Sequence, residues 1–188
     1  MRKLVAFHQV SLDGYFVGPN GDISWAHKGS EDAEWNAFVT GNAQGGGLLI
    51  FGRVTYELMA SYWPTPQAIA NDPAVARQMN DLPKVVFSRT LGSARWSNTR
   101  LLRGDMAAAI RTAKAESGKQ MAILGSGSVV SQLAQDGLID EYQIVVNPVV
   151  LGSGRTLFDG IRGQLTLRLT KTRTFGNGKV LLCYESGA

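Results

Sequence analysis

The chain has 188 residues, 44% of them hydrophobic and 18% charged, with a formal net charge of +4. This is ordinary globular composition, long enough for a real core, and residues 1–188 are expected to form one domain. The single cysteine, Cys183, excludes an internal disulfide framework and a cysteine-based zinc site, and two scattered histidines, His8 and His27, point to no metal.

The positive excess gathers partly in Arg95, Arg100, Arg103 and Arg111. Only Trp96 is interleaved with them, and no nucleic-acid-binding pattern surrounds them. They read as a solvated face or as attraction for a small polyanion, and no nucleic-acid partner is expected. The apolar run at residues 4–7 is too short for a signal-peptide core or a membrane span, so a soluble cytoplasmic protein is the expectation.

Residues 3–10 are β-prone and predict a first strand. Residues 11–24 carry Asp13-Gly14, Gly18-Pro19 and Asn20-Gly21, three turn signals in a long loop that Trp25 closes. Loops of this length often act as lids. Ser30 is a candidate cap for a helix reaching about Ala43, with Asp32 in its first turn and Trp35, Phe38 and Val39 as its apolar stripe. Residues 48–51 predict a strand that runs straight into Gly52-Arg53-Val54-Thr55-Tyr56 and a helix. Asp72-Pro73 starts a further helix ending near Asp81. Strands follow at 84–88 and 98–102, then a helix from Asp105 that Gly118 stops.

Residues 121–124 are a short apolar strand. They break into Gly125-Ser126-Gly127-Ser128 and restart as a helix carrying Val129, Val130 and Leu133. A strand that ends in glycines and opens a helix leaves backbone N–H groups and the positive helix end facing outward, a ready anion site. Glycine keeps side chains from blocking a phosphate. A strand follows at 139–146, with Asp140 and Glu141 expected to face solvent at its start. Asn147-Pro148 and Gly152-Ser153-Gly154 bracket a loop. Residues 165–175 and 179–185 flank Asn177-Gly178, a hairpin signal.

Strands alternating with helices predict an α/β fold: a mainly parallel mixed sheet, helices on both faces, and a C-terminal antiparallel hairpin. Ligands of such sheets sit beyond the carboxyl ends of the strands. Gly52, Arg53 and Thr55, then Ser88, Arg89 and Thr90, then Gly125 to Val129, would share one rim if their strands run parallel.

The ordered set Ser11-Leu12-Asp13-Gly14, Phe51-Gly52-Arg53-Val54-Thr55-Tyr56-Glu57, Val86-Phe87-Ser88-Arg89-Thr90, Ile123-Leu124-Gly125-Ser126-Gly127-Ser128 and the 147–154 loop resembles the dihydrofolate reductase-like superfamily. The branch it resembles contains the reductase domain of riboflavin biosynthesis. The resemblance implies a three-layer dihydrofolate reductase-like fold and NADPH as cofactor. It implies that Gly52, Arg53 and Thr55 hold cofactor phosphates, that Ser88, Arg89 and Thr90 surround the adenosine 2′-phosphate, and that Gly125, Ser126, Gly127, Ser128 and Val129 lie under the pyrophosphate. Arginine forks suit a phosphate dianion and favour NADPH over NADH. Arg53 also stands four residues before Glu57, the spacing of a helical ion pair.

Hydride transfer needs a positioned acceptor and often a proton donor. Asp32 matches the helix-start carboxylate that addresses the pterin in folate reductases, and it equally suits a helix dipole. Asp13 is the second candidate, or an Asp-Gly turn former. Trp25 and Tyr56, with Asp32, are candidates to line an acceptor pocket. The function expected is an NADPH-dependent reductase of a small heteroaromatic, a pterin or pyrimidine derivative. The alternative is a non-catalytic module binding a nucleotide or phosphate ligand. The apolar residues of the C-terminal hairpin and residues 148–151 suggest a homodimer.

Overall fold

The computed structural model of the protein describes residues 1–27 and 32–187. Ten strands and six α-helices alternate along these residues: β1 (Leu4–Ser11), β2 (Tyr15–Val17), α1 (Ala33–Gly45), β3 (Leu48–Gly52), α2 (Arg53–Tyr62), α3 (Pro66–Asn71), α4 (Pro73–Asp81), β4 (Lys84–Phe87), β5 (Thr99–Leu102), α5 (Met106–Ala115), β6 (Met121–Leu124), α6 (Gly127–Gln135), β7 (Glu141–Asn147), β8 (Arg155–Thr156), β9 (Leu167–Thr174) and β10 (Val180–Ser186). The main sheet has eight strands in the order β5-β4-β3-β6-β1-β7-β10-β9. From β5 to β7 every neighbouring pair is parallel; β10 runs antiparallel to both β7 and β9. The expected mixed sheet and closing hairpin are therefore present.

Alternation along the strands divides the core between the two faces. Ile50 joins Leu4, Ala6, Ile123 and the α6 residues Val129, Val130 and Leu133 on one side. Leu49 and Phe51 meet Tyr56, Val75, Met79 and Trp96 on the other. Trp35 of α1 packs with Val145, Phe175, Leu181 and Cys183 over the hairpin end. Each set follows from the two-residue period of a strand and the apolar stripe of a helix.

Several local expectations need correction. Ser30 lies outside the described residues, and α1 is capped by Asp32, whose Oδ1 accepts from Trp35 N at 2.7 Å. Two helices occupy 66–81, because Asp72 ends one and caps the next through Val75 N. Asp140 does not simply face solvent. It pairs with Lys114 and accepts from Leu4 N at 2.7 Å, tying the start of β1 to α5. The long loop is partly a strand: β2 pairs with β8 in a two-stranded sheet. The outer strand β9 presents Arg168, Lys171 and Arg173 and is mostly exposed. Charges on an edge strand oppose pairing, so the edge is less apolar than the sequence pattern suggested.

Candidate functional site

The strands β3, β4 and β6 run in one direction, so their carboxyl ends open onto the same rim. Gly52, Arg53, Thr55, Ser88, Arg89, Thr90, Gly125, Ser126, Gly127, Ser128 and Val129 all line a single cleft there. Two crossing hydrogen bonds join the first and third turns. Gly52 N donates to Ser126 Oγ at 2.9 Å, and Thr55 Oγ1 donates to the Gly125 carbonyl at 2.9 Å. Gly125 sits at φ +59°, and a Cβ there would lie 3.1 Å from the Thr55 methyl. This turn therefore requires glycine for its backbone and for its neighbour.

The helices α2 and α6 begin at these two turns, so their unpaired N–H groups and positive ends face the cleft. Arg53, at the head of α2, pairs with Glu57 at 2.9 Å and is about half exposed while lining the cleft. On the middle turn, Ser88 Oγ accepts from Thr90 N and Leu91 N, shaping the bend. Arg89 is exposed and makes no ion pair with another described residue. Arg103, grouped by sequence with surface arginines, donates to the Leu91 and Gly92 carbonyls and also lines the cleft.

The long loop after β1 is fastened rather than loose. Asp13 accepts from Leu151 N and Gly152 N, and Ser11 Oγ donates to it at 2.6 Å. The Ser11 hydroxyl, with the Gly152 and Leu151 amides, holds the Asp13 carboxyl down to about 2. Asp13 thus anchors the 147–154 loop and does not line the cleft. The small β2–β8 sheet carries Phe16 across the α6 turn. A Cβ on Gly127 would come within 2.6 Å of Phe16 Cζ, so the bareness of Gly127 accommodates this ring as well as any ligand. Arg155 lies 5.6 Å over the Phe16 ring and lines the cleft from β8.

His8 lies beneath Phe16, edge-on at 6.4 Å, 2% exposed, and neither ring nitrogen has a partner. Burial drives its pKa down to about 3, so it is neutral. Its neighbourhood is also where β1 loses its partner on one side. The β1–β6 ladder stops at Phe7↔Leu124, whereas pairing with β7 continues to Ser11↔Asn147. The β1 edge past Phe7 opens beside the glycine turn.

The acceptor-pocket candidates separate. Asp32 is engaged as the α1 cap, and its Oδ2 lies 2.8 Å from where a Cβ on Gly176 would stand; it faces the hairpin. Trp25 is buried with Nε1 donating to the Asp22 carbonyl. Tyr56 is buried against Phe51 and Trp96, its hydroxyl accepting from Trp96 N. These three side chains do not line the cleft. The walls near α1 and α2 come instead from Trp35, Val39, Met59 and Tyr62, with Gln9 and His27 as polar neighbours. Behind them Lys179 is buried, its Nζ donating to the Ala26 carbonyl at 2.7 Å and to Gln9 Oε1 at 3.1 Å. Burial lowers the Lys179 pKa to about 8, and burial together with the Lys179 charge lowers that of His27.

Sequence reasoning missed Phe16, Arg155, Gln9 and Lys179. For Arg155, position just after the Gly152-Ser153-Gly154 turn was a usable signal. For Lys179 there was none, since a lysine beside a hairpin turn ordinarily faces water.

Comparison with known proteins agrees with the architecture. The chain is 26% identical over 184 residues to uncharacterized protein YyaP of Bacillus subtilis (strain 168), covering 98% of this chain and 95% of that one. Its fold is similar to a pyrimidine reductase-like protein of Corynebacterium diphtheriae, with a TM-score of 0.66 and 14% identity over 100% of this chain and 92% of the other. It is also similar to dihydrofolate reductase from Enterococcus faecalis complexed with NADP(H), with a TM-score of 0.63 and 13% identity over 99% and 97%. The fold is therefore that of the dihydrofolate reductase-like superfamily. The family described as the RibD C-terminal domain matches residues 2–181. With its three turns on one rim and its glycine-to-helix junction at the centre, the chain belongs to the RibD C-terminal domain family.

Proposed function

We propose that the protein is an NADPH-dependent reductase that delivers a hydride to a small heteroaromatic acceptor, a pterin or pyrimidine derivative. The observation that carries this reading is the shared rim, where three phosphate-compatible turns and two helix starts line one cleft. The residues present suit a phosphorylated dinucleotide. Gly125 is bare and at positive φ, the helix starts are electropositive, and Arg89 has no competing carboxylate among the described residues. A folate reductase of the same fold is described as complexed with NADP(H), which supports the choice of cofactor.

When bound, the reduced nicotinamide would supply the hydride. The chain's own residues bind and shield. Arg53 and the first turns of α2 and α6 would hold the diphosphate, with Ser88, Arg89 and Thr90 around the 2′-phosphate. Phe16 and the apolar walls from Trp35, Val39 and Met59 exclude water from the reacting region. The open β1 edge past Phe7 offers backbone hydrogen bonds to a planar amide.

Titration with NADPH and NADH tests the cofactor. Arg53→Ala is expected to weaken NADPH binding by about 1.5–3 kcal/mol, typical of hydrogen bonds to a charged group. Arg89→Ala should narrow the NADPH-over-NADH preference. Parental affinity in both variants would move the cofactor elsewhere. A binding module without turnover is the second reading, favoured by the engagement of both Asp32 and Asp13 away from the cleft. NADPH oxidation with a panel of pterins and pyrimidines separates the two.

A further inference from the structure

Lys179 is 2% exposed, yet it has no carboxylate within ion-pair distance among the described residues. Its ammonium sits 4.5 Å from the centre of the Trp35 ring and donates to the Ala26 carbonyl and to Gln9 Oε1. An ammonium can only donate. The Gln9 carboxamide must therefore turn its oxygen inward, because the flipped amide would set NH2 against a desolvated cation. Gln9 is half-buried and lines the cleft, as His27 and Trp35 do, and its Nε2 has no partner among the described residues. Trp35, Val39 and Met59 line the same cleft, and Asp32 does not, its Oδ2 lying toward Gly176 of the hairpin.

We propose that Lys179 is a positioning residue that locks Gln9 with its amide NH2 toward the acceptor half of the cleft, so that this half reads a hydrogen-bond-accepting oxygen on the acceptor rather than an amino group. The proposal rests on the reading that an acceptor binds beside the cofactor, and it deepens that reading by naming the atom recognised. A carboxylate in this place would select an amino-substituted ring; a donor locked by a buried cation selects against one, since two N–H groups would then face each other. Lys179 does not itself line the cleft; it acts through the groups it holds, and of these Gln9 is the one whose amide can flip.

A pair of small probes of one shape tests this: 2-pyridone, with a ring oxygen substituent, and 2-aminopyridine, with nitrogen in the same place. Their binding to the full chain is followed by ligand-observed NMR, with and without NADPH. The wild-type protein is expected to favour 2-pyridone by about tenfold, the value of one hydrogen bond made or lost. Gln9→Glu keeps an oxygen on Lys179 and turns a second oxygen to the cleft, so the preference should invert. Lys179→Met frees the amide to flip and should bring the ratio close to one. Met fills a similar volume, and replacing a buried cation that has no carboxylate partner among the described residues by an apolar group removes a desolvation penalty; thermal denaturation checks that the variant is folded. General loosening of the pocket would weaken both probes together and leave their ratio unchanged, which is the outcome of a merely structural Lys179 and would overturn the proposal. It is equally overturned if the wild type favours 2-aminopyridine, shows no preference, or binds neither probe at millimolar concentration. If the ratios behave as expected while NADPH fails to bind, the reductase reading falls and the Lys179–Gln9 lock stands.

Discussion

His8 shows how one residue couples the site to stability. Its folded pKa of about 3 lies below the ordinary 6.5 because burial disfavours the imidazolium. The unfolded chain takes up a proton below pH 6.5 and the folded chain does not, so His8 weakens the fold as pH falls from 6.5 toward 3. The slope from this one group approaches about 1.4 kcal/mol per pH unit. His8→Leu should flatten that slope in urea titrations between these limits. It should also leave stability at neutral pH unchanged or raised, since two unpartnered nitrogens leave the interior. An unaltered acid slope would mean that His8 is protonated in the folded protein. Asp13 works in the opposite chemical sense but with the same direction in pH. Its carboxyl is held down to about 2, so the anchoring of the 147–154 loop is present above the ordinary 3.8 and is lost as pH falls through about 2. Neither role was legible from residue type alone. A histidine on a strand and an Asp-Gly pair have bland explanations until their neighbours are known.

At the scale of elements, the strand–glycine–helix junctions were legible because their signals are local. An apolar run, a glycine break and a helical stripe lie within a dozen or so residues, and no distant contact is needed to read them. What surrounds each glycine was not legible. Gly125→Ala should cost about 1–2 kcal/mol for its left-handed backbone, and more from the 3.1 Å approach to Thr55. Its NADPH affinity should fall with it, read by denaturation and titration of the same variant. Gly127→Ala is a different case, because the new methyl meets Phe16. Overpacking of this kind costs about 1–3 kcal/mol. The variant Phe16→Ala should then absorb most of the Gly127→Ala penalty in a double-mutant cycle, whereas strict additivity would show that the ring does not press on the turn. The long loop behaves likewise. Its turn signals predicted irregular chain, and β2 exists because β8, far along the sequence, supplies the edge it pairs with.

For the molecule as a whole, ligand binding and folding are linked. The cleft is built from three turns on separate strands, so a dinucleotide bridging them binds only the folded chain. NADPH at a hundred times its dissociation constant should add about 2.7 kcal/mol of stability. For a chain of this size that is a rise of roughly 5–11 °C in Tm. NADH at equal concentration should give a smaller shift, and no shift from either would remove the cofactor assignment.

Composition, periodicity and turn chemistry determined the class of fold, most of its strands and helices, and the chemistry of the three turns. Each of these depends on residues close together in the chain, where strand and helix periods leave a direct imprint. The tertiary structure alone decided that the three turns share one rim, that Asp32 caps α1 with its carboxylate outside the cleft, that Tyr56 and Trp25 are core, and that Phe16 lies over Gly127. It alone brought Lys179 to Gln9 across 170 positions of sequence. Such pairings are set by strand order and register, and a side chain's partner across a sheet leaves no mark in the residues beside it.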